Sequence, residues 1–374
     1  MLKDEYRQLV NLAMNEKINA SEVKRLSVEN NQQMEETDSN KESKRFGNIG
    51  VNTLHYRRDE KNIGIRACMY NIIVFIALFY CESSTKSYGL ENTNEVPFHK
   101  NKLIKDVNSS DVYILPDRRI VAYYGNFDSR KMGVLGEYSP LVMWSKLKNE
   151  AAEWNAADPT TPAIMALHYI AIVASNNPGY DGEYINRMNK YQIEKAISIA
   201  GMEKDTILFL DIQPGLSNLR NEVIRLSPYL KMPNVHLGID PEFMMHNGNI
   251  PGKAIGSISY VDINYIIDYL SNLVEQFNLP PKVLIIHRFT KRMVIGFEKV
   301  KNSKNVQVVL NMDGFGSPSL KKLKYNQVIS SEYSIKYSGI KIFYKNDLIS
   351  PPHRLLSKKE ILSLKPNPLY IQYQ

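Results

Sequence analysis

The stretch Val235-His-Leu-Gly-Ile-Asp-Pro-Glu242 runs apolar and then ends in two carboxylates, Asp240 and Glu242. Alternate side chains of a strand share a face, so the two acids are expected on one side. A pair of carboxyl groups is the minimum equipment for glycoside hydrolysis. One protonates the leaving oxygen and the other acts as nucleophile or base, ~5–5.5 Å away in retaining enzymes and ~6.5–9.5 Å in inverting ones. Positions i and i+2 of a strand lie ~6.5–7 Å apart at the backbone, which fits either geometry and assigns neither. The plainer alternative is an Asp-Pro turn followed by a solvated Glu.

Other apolar runs end in residues of the same kind. They bring Tyr124 and Asn126, His168, Asp211 and Gln213, His287, Asn311 and Asp313, Tyr344, and Gln372 and Gln374. Each has a structural explanation of its own. His168 lies in a long apolar run and reads as a hydrogen-bonded core histidine. Asp211 can cap a turn, Asp313-Gly is a turn dipeptide, and the two glutamines can satisfy interior polar groups. Together they are costly to bury without purpose. Amides and acids bond hydroxyl groups while aromatic faces stack on sugar rings. Glu242 is therefore read as the general acid, Asp240 as an orienting group, and Asp211 or Asp313 as the second carboxylate. Tyr124, Asn126, His168, Gln213, His287, Asn311, Tyr344, Gln372 and Gln374 form the expected substrate-binding set. No cofactor is assigned and no metal ligand set is chosen.

Two rival readings stay open. His168, Asp211, Asp240, Glu242, His287 and Asp313 include enough nitrogen and oxygen ligands for a zinc- or manganese-dependent barrel hydrolase. Against this, no His-x-His or His-Glu-x-x-His pattern occurs. The third reading is a barrel that binds a glycan without cleaving it, because fold alone does not decide chemistry.

The elements that must position these residues are legible as a rhythm. Strand-length apolar runs occur at 120–127, 163–173, 207–213, 235–242, 283–289, 306–313, 340–344 and 369–373. Stretches with helical spacing separate them, such as 262–277 with its apolar Ile263, Ile266, Ile267, Leu270, Leu273 and Val274. Ser357 and Glu360 have capping-box spacing ahead of another helix. Strands alternating with helices imply a parallel sheet. Eight of them over residues 117–374 match a (β/α)8 barrel of TIM type, whose usual size is ~250 residues. An open doubly wound sheet lacks its glycine-rich fingerprint here, since Tyr124-Gly-Asn-Phe-Asp128 is not G-x-G-x-x-G. The sequence stops at the eighth strand, so the barrel is expected without its last helix, with residues 82–116 packing across it as a linker.

The N-terminal part differs. Residues 1–66 are rich in Glu, Lys, Asn and Ser and read as a mostly disordered extension with one short helix near its start. Arg57, Arg58, Lys61 and Arg66 then precede the apolar run 67–81, which is shorter than the ~20 residues of a full membrane span. Basic residues before such a run read as an export signal or anchor, placing the barrel outside the cell membrane. Cys81, at the end of the run, is the candidate lipid-attachment residue. Cys68 and Cys81 are the chain's two cysteines, which excludes a disulfide framework and a cysteine zinc site in the barrel. The formal charge is +8, yet basic residues do not cluster with aromatics, so nucleic acid is not an expected partner. The expected partners are a glycan or small polar substrate and, through the N-terminal segment, a membrane.

The Asp-x-Glu ending is similar to the last part of a chitinase-like signature, in which the Glu is the acid. Val235 and Gly238 stand where that signature has its upstream aspartates. Leu210-Asp-Ile-Gln-Pro-Gly215, Gly238-Ile-Asp-Pro-Glu242, Asn311-Met-Asp-Gly-Phe-Gly316 and Tyr370-Ile-Gln-Tyr-Gln374 resemble a family of uncharacterised bacterial exported proteins, many of them lipoproteins. The resemblance covers roughly residues 118–374. It implies export and a barrel with a glycoside hydrolase-like domain, and supplies no reaction.

Overall fold

Eight strands follow one another around a closed parallel barrel: β1 Arg119–Gly125, β2 Ala163–Ala174, β3 Ile207–Ile212, β4 Val235–Ile239, β5 Lys282–Arg288, β6 Val306–Met312, β7 Tyr337–Ile342 and β8 Tyr370–Tyr373. Closure comes from β1, which pairs in parallel with both β2 and β8. The structure is a computed structural model that describes residues 113–332 and 334–374. The readings for residues 1–66, the apolar run 67–81 with Cys81, and residues 82–112 lie outside the described residues.

Helices lie between successive strands: α1 Pro140–Ala157, α2 Lys190–Ala200, α3 Leu219–Arg225, α4 Tyr260–Phe277, α5 Pro318–Tyr325 and α6 Lys358–Leu362. Helix α4 shows why the sequence folds this way. Ile263, Ile266, Ile267, Leu270, Leu273 and Val274 recur at helical spacing and are all buried, each worth about 1.5–3 kcal/mol of burial. Ser259 caps its start by accepting from the Asp262 amide. Ser357 and Glu360 form the expected reciprocal capping box at α6. Between β5 and β6 the alternation of strand and helix fails. Two 3-10 turns, Lys291–Met293 and Phe297–Lys299, replace a helix there. Gly296 separates them in the left-handed conformation, φ 72°, and a Cβ on it would strike the Tyr260 ring. No described helix is long and apolar enough to cross a membrane.

Alternation along the strands makes two cores. Ala122, Ala166, Phe209, Val283, Ile285, Val309, Tyr337 and Tyr370 fill the barrel. Residues of opposite parity, such as Val121, Leu167, Leu208 and Leu284, pack under the helices. Leu115 closes the floor, held by both ends of the Gln307 amide: its N–H donates to Oε1 at 3.2 Å and its carbonyl accepts from Nε2 at 2.5 Å. The apolar filling ends partway up. Above it the inward positions turn polar, at the C-terminal strand ends where barrels carry their chemistry.

Strands β1, β3, β5 and β6 end one or two residues before the sequence reading, and two further ends change the site. Strand β4 stops at Ile239, and Pro241–Phe243 form a 3-10 turn capped by Asp240, whose carboxylate accepts from the Glu242 amide at 3.1 Å. The alternation that was to align Asp240 with Glu242 therefore does not reach Glu242, and the Asp-Pro turn of the plainer reading is real. Strand β7 starts earlier and ends at Ile342 rather than Tyr344. Its inward positions are Tyr337, Gly339 and Lys341.

Candidate active site

Strands β1, β2, β3, β5, β6 and β8 bring Tyr124, His168, Asp211, His287, Asn311 and Gln372 into one buried polar layer. The Tyr124 hydroxyl donates to Asp211 Oδ2 at 3.1 Å and accepts from Gln213 Nε2 at 3.3 Å. Asp211 and Gln213 thus share the face expected of an i, i+2 pair. His168 Nε2 lies 3.2 Å from Asp211 Oδ1, and His287 Nε2 lies 3.7 Å from the same oxygen. None of these three atoms has a hydrogen-bond partner, and all three residues are completely enclosed. They are also the group of described residues whose donor atoms are placed to hold a metal ion. His287 Nδ1 sits 2.8 Å from Asp313 Oδ2, and His168 Nδ1 sits 2.6 Å from the Tyr370 hydroxyl. Gln372 Nε2 donates to that hydroxyl at 2.8 Å.

Nearer the mouth the site becomes acidic. Asp240 is 3% exposed, the Asp313 side chain is 6% exposed, and Glu242 is half-buried. Their surroundings drive the carboxyl groups apart. Burial, reinforced by Asp313, Asp211 and Glu242, pushes Asp240 well above the usual carboxylate range, with His287 opposing. Burial and then the Asp313 charge push Glu242 up as well. Burial alone would raise Asp313, but Lys341 and His287 outweigh it and hold it below its usual value. Asp211 is likewise held low, against its burial, by His168, His287 and Lys341. Burial lowers His168 to about 4, so its ring is neutral at pH 7. His287 is raised, because Asp313, Asp211 and Asp240 more than offset its burial.

Lys341 was absent from the sequence-derived set. Its ammonium lies 3.1 Å from Asp313 Oδ1 and 3.9 Å from the centre of the Tyr124 ring. The signal was present as a single lysine within the apolar run Ile340-Lys-Ile-Phe343, which only an inward salt bridge or an exposed face explains. A strand ending at 344 would present Tyr344 instead; the strand ends at Ile342. Behind Lys341, a buried pair fastens two mouth loops together. Lys321 Nζ bonds the Gly314 and Lys341 carbonyls at 2.8 and 2.6 Å and meets Asp347 at 3.0 Å. Asp347 in turn accepts from the Gly316 and Phe343 amides at 2.8 and 3.0 Å.

Two expected binding residues are placed elsewhere. Tyr344 has outward parity. Its ring stacks on Tyr373, and its hydroxyl donates to Glu150 Oε2 on α1 at 3.1 Å. Asn126 is buried and fully used in the turn after β1, donating to the Ile170 carbonyl at 3.0 Å and accepting from the Asp128 amide at 2.9 Å. Gln374 stays half-buried, its side chain beside Gly133. No protein-family model, curated protein or solved structure matches this chain.

Proposed function

We propose that the barrel mouth is the active site of a hydrolase that cleaves glycosidic bonds by general acid and base chemistry. The observation that carries this reading is the division of four carboxyl groups in one barrel end. Burial and neighbouring acids push Asp240 and Glu242 up, while Lys341 and the histidines pull Asp211 and Asp313 down. Carboxyls whose environments push them apart are how one site supplies both an acid and a base. Glu242, partly open to solvent, gives its proton to the leaving glycosidic oxygen. Asp313, held low by Lys341 and His287 with its side chain 6% exposed, takes a proton from the attacking water. Asp211 is wholly enclosed and unreachable by a sugar, so it serves the scaffold beneath them. Phe315, 58% exposed on the loop after Asp313 and edge-on to Phe343, offers an aromatic face for a sugar ring.

The basic-then-apolar run ahead of the barrel supports an exported, membrane-tethered placement, and with it a cell-envelope or extracellular glycan as substrate. Replacing Cys81 by Ser should release the protein from membranes if that residue carries a lipid; unchanged membrane fractionation rejects lipidation.

The test of the reaction is Glu242→Gln assayed on a panel of envelope glycans. Loss of kcat by ~10²–10⁴-fold, the worth of a general acid, is expected with the fold intact. Unchanged turnover, or glycan binding without turnover by the native chain, rejects the assignment.

A further inference from the structure

We infer that His168, Asp211 and His287 form a binding site for a divalent transition-metal ion, with zinc the best match to the donor set. The inference stands on the buried layer alone and does not rest on the glycosidase reading. His168 Nε2, Asp211 Oδ1 and His287 Nε2 lie within 4.8 Å of one another. All three belong to residues with no solvent exposure, and none has a hydrogen-bond partner. A buried polar atom left unpaired costs roughly 1–3 kcal/mol; His168 Nε2 and Asp211 Oδ1 approach to 3.2 Å without an aligned hydrogen bond, and His287 Nε2 has no partner. One cation satisfies all three.

The spacing agrees with this. Ligands ~2.0–2.1 Å from a tetrahedral zinc stand about 3.3 Å from each other. The two separations to Asp211 Oδ1 are 3.2 and 3.7 Å, and the two imidazole nitrogens lie within 4.8 Å of each other.

Each ligand is also gripped from behind through the atom that faces away from the cluster. Asp313 holds His287 Nδ1, which keeps the proton there and leaves the Nε2 lone pair free. Tyr370, itself held by Gln372, takes His168 Nδ1. Tyr124, held by Gln213, takes Asp211 Oδ2. Carboxylate and hydroxyl partners behind imidazole ligands are the support that metal sites require. A purely structural His–Asp pair has no need of the third ring.

The wall of the cluster is built to match. Gly238 on β4 faces His168 and Asp211, and a Cβ there would stand 2.4 Å from Nε2 and 2.5 Å from Oδ1. Any side chain would fill the cradle. Two imidazoles with one carboxylate favour zinc or a neighbouring transition metal over magnesium or calcium, which take oxygen ligands. Three protein ligands leave zinc a further coordination position, as catalytic sites do. A doubly charged ion would also offset the four acids of the barrel end, which have Lys341 as their close ammonium partner.

The test uses the full chain carrying Cys68→Ser and Cys81→Ser, so that thiolates outside the barrel take no metal. After chelation and dialysis, zinc is added and bound metal is measured by mass spectrometry and calorimetry. Cobalt is then substituted for its visible d–d absorption. The inference expects one equivalent of zinc, tetrahedral cobalt bands and a higher Tm with metal. His168→Ala and His287→Gln, checked for folding by circular dichroism, should each lose stoichiometric retention. Asp313→Asn, which reaches the cluster through His287 Nδ1, should weaken binding by ~10–100-fold. Less than a tenth of an equivalent bound by the folded chain overturns the inference without any variant. Full retention by folded His168→Ala and His287→Gln overturns it equally. Glu242→Gln should keep its equivalent of metal, so a failure of the glycosidase reading and a failure of the metal site are separately visible.

Discussion

Replacing Lys341 by Met removes one charge from the barrel end while keeping the length that packs over the Tyr124 and Phe343 rings. The ammonium lies 3.1 Å from one oxygen of Asp313 and 3.3 Å from the other, and the two side chains are only 4% and 6% exposed. At an effective dielectric near 20, two charges at that separation attract by roughly 5 kcal/mol before desolvation is deducted. Breaking a buried pair from one side leaves the other charge uncompensated, at a cost of about 3–5 kcal/mol. His287 still holds Asp313, so the lower end is expected. Loss of the cation from the Tyr124 ring adds on the order of 1–2 kcal/mol. Lys341→Met should therefore destabilise by about 4 kcal/mol in urea unfolding followed by near-ultraviolet circular dichroism. Asp313→Asn and the double variant complete a cycle, in which a coupling energy of roughly 1–3 kcal/mol is expected for residues in contact. A loss below about 1 kcal/mol, or a coupling near zero, would show that Lys341 does not face the barrel interior and would remove the charge arrangement proposed here.

Tyr344→Phe should leave turnover unchanged and cost about 1–2 kcal/mol, because its hydroxyl serves Glu150 rather than a substrate; a large change in KM would restore it to the binding set. Asp158, bonded by Thr160 and by the buried Arg119, is held down at about 2, below the ordinary aspartate value. A carboxyl lowered by folding contributes stability that is present above its unfolded value and lost as pH falls through its folded one. Thermal melts between pH 4 and 2 should accordingly be less steep in Asp158→Asn than in the native chain, and equal slopes would contradict the pairing. Ser357→Ala breaks the capping box of α6 and should cost about 1 kcal/mol, read as a lower urea midpoint with unchanged m. If Glu242 is the acid, kcat/KM should fall as pH rises through its raised value, leaving activity at pH values where an ordinary glutamate is already ionised. A profile flat across that range removes it from the role.

The barrel was legible because its strands are apolar runs of the right length separated by helical spacing, and burial on both faces requires such runs. The missing helix between β5 and β6 was not legible. Met293, Val294 and Phe297 carry enough apolar character to suggest an element, and Gly296 in the left-handed conformation interrupts them. Most of the site followed from asking which polar residues end each strand, as Asp211, His287 and Asp313 demonstrate. Errors came where a strand stopped early. Asp240 turned the chain before Glu242, and β7 ended two residues short, which exchanged Lys341 for Tyr344. The convergence of His168 and His287 on one oxygen of Asp211 is a long-range property of the closed sheet. Residues 168, 211 and 287 carry no local spacing that could announce it.

The division of the four carboxyl groups is open to direct measurement. In the chelator-treated chain, site-resolved carbon-13 titration of the Asp240, Glu242, Asp211 and Asp313 carboxyls would follow each proton. Asp240 and Glu242 should titrate above the ordinary carboxylate range, and Asp211 and Asp313 below it. Four midpoints clustered at ordinary carboxylate values would contradict it, and would leave the barrel mouth without the paired acid and base on which the proposed hydrolysis depends.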